Sequence, residues 1–166
     1  MAATLCLRNI SATKRLLRRA LLERLANRIC AGEKVGGSVE ISLLLCDDEF
    51  ISRLNRQYRD KEGPTDVLSF EQDGPEGSVL GDVVISLETA LRRSDGDRAG
   101  ARKEVDLLFC HGLLHLLGYD HSTRSERERM TRKQAKYLGI SECAAWPSSR
   151  PALRASLVGS MQAAWR

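Results

Sequence analysis

His111, His115 and His121 are the three histidines of a 166-residue chain, and all of them fall within residues 111–121. His111 and His115 are four apart, which stacks their side chains on one face of a helix. Gly118 can end that helix in a left-handed conformation and turn the chain so that His121 swings back toward the other two. Three neutral imidazoles converging on one point, with no fourth protein ligand in the run, describe a divalent metal site with an open position. Zinc is the expected ion, one per chain, and such a site activates water for hydrolysis at neutral pH. The competing account is a buried apolar helix that happens to carry histidines. One histidine would favour that account; three at chelating spacing favour the metal.

The spacing His-x-x-x-His-x-x-Gly-x-x-His is also that of the metzincin proteases, which carry a glutamate directly after the first histidine as general base. Here that position is Gly112. A glycine moves no proton, so peptide hydrolysis by this route lacks its base and a metalloprotease stands only as an alternative. What Gly112 can do is let a substrate or another backbone come close to the metal. Cys110 adjoins His111 but points elsewhere on a helix, so it reads as packing. Glu104 shares the His111 face two turns away and is not read as catalytic. Asp120 reads as a partner for a ligand or as a turn former. Asp82, between Gly81 and Val83, reads as a backbone hydrogen-bonding group or as a support behind the ligands.

These groups need a scaffold, and 166 residues at 42% hydrophobic suffice for one domain with a sizeable core. No apolar run approaches bilayer length and no secretory signal is read, so no membrane partner is expected. The five cysteines are scattered, odd in number and form no Cys-x-x-Cys pair, which suits reduced thiols of an intracellular protein. Net charge is +4, compatible with a polyanionic partner without proving one. The basic residues crowd the first third: Lys14, Arg15, Arg18, Arg19, Arg24 and Arg28, with Glu23 opposing them. A solvated helix face and a nucleic-acid contact explain that cluster equally well. An organellar presequence explains it less well, because the helix is needed by the fold.

Residues 4–10 read as a strand, with Ser11 or Thr13 as the N-cap of a helix whose Leu17, Leu21, Leu25 and Ile29 form one stripe. Residues 39–46 read as a buried strand, and Asp47 or Asp48 as the cap of a helix presenting Phe50, Leu54 and Tyr58. A loop over 59–66 turns at Gly63-Pro64. Strands at 67–70 and 80–86 flank a Gly/Pro-rich acidic loop, Ser86 caps a helix through Leu91, and 95–100 reads as a surface loop. The helix over 101–117 is apolar nearly all round from Val105 and must be central. Ser122 or Thr123 caps a charged helix to about Leu138. Residues 1–140 thus form the working domain, and 141–166 a variable tail in which 152–166 reads as a loose basic helix. The expected fold is a single α+β domain, with a central buried helix packed on a small mixed sheet and surrounded by other helices.

Three segments resemble one family, in the right order. Leu54-Asn55-Arg56-Gln57-Tyr58-Arg59 followed by Pro64-Thr65-Asp66-Val67-Leu68-Ser69-Phe70 resembles the first signature of the YbeY endoribonucleases. Leu80-Gly81-Asp82-Val83-Val84-Ile85-Ser86 resembles their next strand. His111 to His121 resembles their metal motif, with Met130 where a methionine follows it. The likeness covers residues 4 to about 139.

The resemblance implies a metallohydrolase that cleaves single-stranded RNA, matures the 3′ end of small-subunit ribosomal RNA and serves ribosome quality control. Its partners would be ribosomal RNA and the small subunit or its factors. Its compartment would be the cytoplasm, or an organelle in a eukaryote. His111, His115 and His121 match the family's zinc ligands, and Arg59 matches the arginine required for cleavage. The chemistry agrees: phosphodiester attack builds charge on non-bridging oxygens, which a guanidinium holds through two parallel hydrogen bonds. Taken alone, Arg59 would read as an ordinary surface arginine. Thr65 and Asp66 could orient RNA, or could equally be a turn-and-cap pair. With no spare histidine, proton transfer falls to the metal centre, a carboxylate or the RNA 2′-hydroxyl. A ribosome-assembly factor merely braced by zinc is the non-catalytic alternative.

Overall fold

The segment Val-Glu-Ile-Ser-Leu-Leu-Leu-Cys is apolar on both faces over its second half, as a strand covered on both sides must be. In the computed structural model, which describes residues 2–72 and 78–146, it is an inner strand. The elements run β1 (Ala3–Asn9), α1 (Arg19–Gly32), β2 (Val39–Cys46), α2 (Asp48–Arg59), β3 (Val67–Glu71) and β4 (Val79–Ser86). They continue with α3 (Leu87–Arg93), α4 (Arg98–Leu116), α5 (Arg124–Leu138) and α6 (Glu142–Ala145). The four strands lie in the order β1-β2-β4-β3. β1, β2 and β4 are parallel, while β3 runs antiparallel to β4, pairing Val67 with Ile85 and Ser69 with Val83. The expected small mixed sheet of an α+β domain is present.

Strand alternation divides the core into two. Leu5, Ile41, Leu43, Leu45, Val67, Val83 and Ile85 face α1, α4 and α5. Leu44, Cys46, Leu68, Phe70 and Val84 face α2, which covers them with Ile51 and Leu54. α4 is the central helix, buried continuously from Leu107 to Leu116. Fully burying each large side chain there, such as Leu108, Phe109 and Leu113, contributes roughly 1.5–3 kcal/mol. Cys110 is part of this packing, and burial, with the Asp106 charge nearby, pushes its thiol up to about 12.

Several local expectations shift. The first helix starts at Arg19 rather than beside Ser11 or Thr13. The Ser11 hydroxyl instead accepts from the Thr13 amide, and the Asn9 side chain from the Ser11 amide, in a turn complete by itself. The buried stripe of α1 is Leu22, Leu25, Ala26, Ile29 and Cys30, while Leu21 is 42% exposed. Strict four-residue steps drift around a 3.6-residue helix, so Leu21 falls off the face that Ile29 occupies. Asp47 is at the N-cap of α2, but neither it nor Asp48 caps with its side chain. Asp47 accepts from the Ala12 amide, and Asp48 from Ser86, Thr89 and Arg92. The expected surface loop over 95–100 is shorter, because Asp97 caps α4 through the Gly100 amide. Ser86 caps α3 as expected, and of the two candidates for α5 it is Thr123 that caps, in a capping box with Glu126. The reading of 152–166 as a basic helix lies outside the described residues.

Candidate metal centre

α4 delivers His111 and His115 one turn apart on its inner side, and the two Nε2 atoms face each other at 3.1 Å. Beyond Leu117, Gly118 adopts φ +88°, a left-handed turn that a side chain would strain, and the chain returns His121 to the pair. One nitrogen from each ring lies within 4.8 Å of the others, and the residues are only 1%, 2% and 2% exposed. A tetrahedron with bonds of about 2.0–2.1 Å has edges of about 3.3 Å, close to the Nε2 separation. An all-imidazole set is borderline-soft and suits zinc among divalent ions. The donor set therefore fits one transition-metal ion.

Supporting groups fix His111 and the turn that carries His121. The Gln134 carboxamide, fully buried on α5, accepts from His111 Nδ1 at 2.7 Å, leaving Nε2 to face the centre. The Gln134 amino group donates to the Ala145 carbonyl, so the same amide ties α6 to the site. Trp146, immediately after α6, packs its indole in T-shaped contact with His111 at 5.4 Å and with His121 at 5.0 Å between ring centroids. The turn carrying His121 is anchored through Tyr119, whose hydroxyl donates to Glu33 at 2.6 Å. Lys133 reaches the same carboxylate at 2.8 Å, and the Tyr137 hydroxyl joins them. Burial alone would raise the Glu33 carboxyl, but Lys133 and the two hydroxyls hold it below its ordinary value. Asp120 accepts from the His121 amide at 2.7 Å and from Ser122, so it acts as a turn former.

Gly112 has a different role from the close substrate approach allowed by the sequence. It faces the sheet, where a Cβ would come within 2.7 Å of Val83 Cγ1 and 3.0 Å of Ser69 Oγ. It is the sheet that comes close. A glutamate at this position forces Val83, Ser69 or α4 itself to shift.

Arg59, Thr65 and Asp66 gather at the end of α2 and the turn into β3. Arg59 is half-buried, hydrogen-bonded to Asn55 Oδ1 at 3.4 Å. Burial lowers its guanidinium pKa, and the Asp66 charge works against that. Asn55, 4% exposed, also donates to the Gly63 carbonyl at 3.0 Å, fastening the Gly-Pro turn to α2. Asp66 is 2% exposed, accepts from the Val67 amide at 2.8 Å and pairs with Arg93 at 2.5 Å. Thr65 Oγ1 reaches Asp66 at 3.4 Å. Arg93 continues to Glu104 at 3.4 Å, which connects this group to α4 two turns before His111. Asp82 is on the α2 side of the sheet with Val84, bonded to Gln72, so it stands behind none of the histidines.

Gln134, Glu33, Asn55 and Trp146 are the contributors that sequence reasoning passed over. Gln134 left one signal, a neutral amide at an apolar position of α5. Trp146 left none, since it follows the segment that resembles a known family.

An α+β domain with a buried three-imidazole cluster at the end of its central helix has the donor set of a metal-dependent hydrolase. The family model described as Endoribonuclease YbeY matches residues 8–141. An endoribonuclease YbeY from Pelotomaculum thermopropionicum is 44% identical over 126 residues, covering 72% of this chain and 83% of that protein. Another from an Anaeromyxobacter species is 52% identical over 99 residues, 58% of this chain and 52% of that protein. The solution structure of a Thermotoga maritima protein is similar, with a TM-score of 0.54 and 27% identity over 81% of this chain and 87% of that one. The chain belongs to the endoribonuclease YbeY family, and it is a hydrolytic nuclease.

Proposed function

We propose that this protein is a zinc-dependent endoribonuclease of ribosome biogenesis, cutting single-stranded RNA. Its substrate is the precursor of small-subunit ribosomal RNA, matured at the 3′ end, and it serves ribosome quality control in the cytoplasm beside the small subunit or its factors. The observation that carries this reading is the buried His111, His115 and His121 cluster in a chain of this family. The three histidines hold the zinc ion, which when bound supplies an activated water at neutral pH.

The remaining work falls to side chains. Gln134 keeps the Nε2 lone pair of His111 directed inward. Arg59 binds the non-bridging oxygens of the scissile phosphate, where a guanidinium offers two donors in a fixed fork. Asp66 keeps an opposite charge near Arg59, and Thr65 lies on the same turn to contact the strand. The basic excess of the chain favours encounter with a polyanion. Among the described residues no helix is long and apolar enough to cross a membrane.

Burial of all three ligands also suits a metal that only braces the fold in a non-catalytic assembly factor. Metal analysis with RNA cleavage, with and without chelator, separates the two readings. The enzyme reading expects one zinc per chain, chelator-sensitive cutting of unstructured RNA, and an Arg59→Ala variant that keeps zinc and stability while losing most cleavage. Casein stays intact. Cleavage of casein without RNA, or an Arg59→Ala variant as fast as the parent, overturns it.

A further inference from the structure

The family match ends at residue 141, yet the chain beyond it touches the metal centre. α6 is held there by the Gln134–Ala145 hydrogen bond and by Ala145, which is fully buried. The next residue, Trp146, is half-buried, and its ring stands steeply inclined to those of His111 and His121, at interplanar angles of 63° and 75°. The exposed Arg127 of α5 places its guanidinium over the indole, 5.7 Å from the ring centroid. An indole with a cation at its face, on the rim of a hydrolytic centre, has the two components by which single strands are gripped. Stacking on an aromatic face takes any unpaired base, and an adjacent guanidinium stacks with it and neutralises a phosphate.

We propose that Trp146, with Arg127, is a stacking platform for an unpaired nucleobase of the RNA beside the scissile phosphate. The inference rests on the ribonuclease reading above, and its indole lies outside the family-matched segment. It gives the site a physical reason to prefer single strands, because a paired base keeps its faces inside the helical stack.

The test uses the full-length protein loaded with zinc, in a Trp165→Phe background that leaves Trp146 as the sole tryptophan. The probe is a single-stranded oligoribonucleotide carrying 2-aminopurine, with its duplex as the control, followed over the first turnover. Stacking predicts quenching of both the Trp146 and the 2-aminopurine emission by the single strand and little change with the duplex. Trp146→Ala weakens single-strand binding by roughly five- to a hundred-fold, and Trp146→Phe restores most of it. Zinc content stays at the parental value in both, while Trp146→Ala melts lower because the indole packs against the core. Arg127→Ala keeps its zinc and shows a salt dependence of binding shallower by about one unit of slope. A Trp146→Ala variant that binds RNA as tightly as the parent overturns the proposal. So does one that loses zinc along with RNA binding, which would make the indole a wall of the metal centre. In either case a parent that still cleaves RNA leaves the ribonuclease reading standing; a parent that neither binds nor cleaves RNA removes both.

Discussion

Replacing Gln134 by leucine removes a side chain that is fully buried and bonded at both ends, to His111 and to the Ala145 carbonyl. Leucine is similar in volume, so packing changes little and the polar loss dominates. On the binding side, loss of the group that orients a metal-ligating histidine costs about 10- to 100-fold in metal affinity, or about 1.4–2.7 kcal/mol. On the folding side, two buried polar groups lose this partner at about 1–3 kcal/mol each, partly offset by new apolar contact, for a net loss of about 2–4 kcal/mol. Against a total of about 5–15 kcal/mol, the variant still folds. Competition with a chromogenic zinc chelator reads the first quantity, and urea unfolding of the metal-free protein reads the second. Gln134→Glu separates them: a carboxylate still accepts from His111 but repels the Ala145 carbonyl, so zinc affinity stays within a few-fold while stability falls. If Gln134→Leu binds zinc within two-fold of the parent and unfolds at the same urea concentration, the amide orients nothing.

Gly112→Glu restores the residue a metalloprotease carries but drives it into Val83 and Ser69; overpacking plus a buried charge lowers stability by more than about 3 kcal/mol, with no casein hydrolysis. Parental stability on denaturation would show that α4 has room to spare. Asp106, half-buried on α4, has its carboxyl raised by burial from 3.8 to about 6. Its proton is bound more tightly in the folded state, so its contribution is present at low pH and lost as pH rises through about 6. Asp106→Asn escapes that loss and is more stable by about 1–3 kcal/mol at pH 7.5, a gain that vanishes near pH 4 in paired melting curves. A pH-independent difference would mean that the carboxyl is not the titrating group. Glu33→Gln weakens the charge-assisted bonds from Lys133 and Tyr119, costing about 1–3 kcal/mol, and speeds amide exchange in residues 118–121. Unchanged exchange there would detach Glu33 from the His121 turn.

The histidine spacing and Gly118 suffice to foresee the convergence of the three rings, because helix periodicity and a left-handed turn are local geometry. The mixed sheet was equally legible from its apolar runs. What escaped was decided by tertiary competition. Ser11, Thr13, Asp47 and Asp48 have the residue types of caps, yet each is engaged by a partner that only the folded chain supplies or by its own turn. The drift between a four-residue step and the helical period misplaced Leu21. Gly112 reads as an opening in the sequence and is a contact in the fold, since nothing local tells which side of α4 meets the sheet. Gln134 and Trp146 reach the centre from 23 and 35 residues beyond His111, too far for any spacing rule.

The Gln134 amide has one more consequence. A single planar group, bonded at one end to a ligand ring and at the other to α6, makes the centre and α6 thermodynamically reciprocal. Whatever free energy metal loading lends to the docking of α6, docking must return to metal loading by the same factor. A molecule that binds docked α6 more tightly than undocked α6 therefore tightens the metal site without touching it.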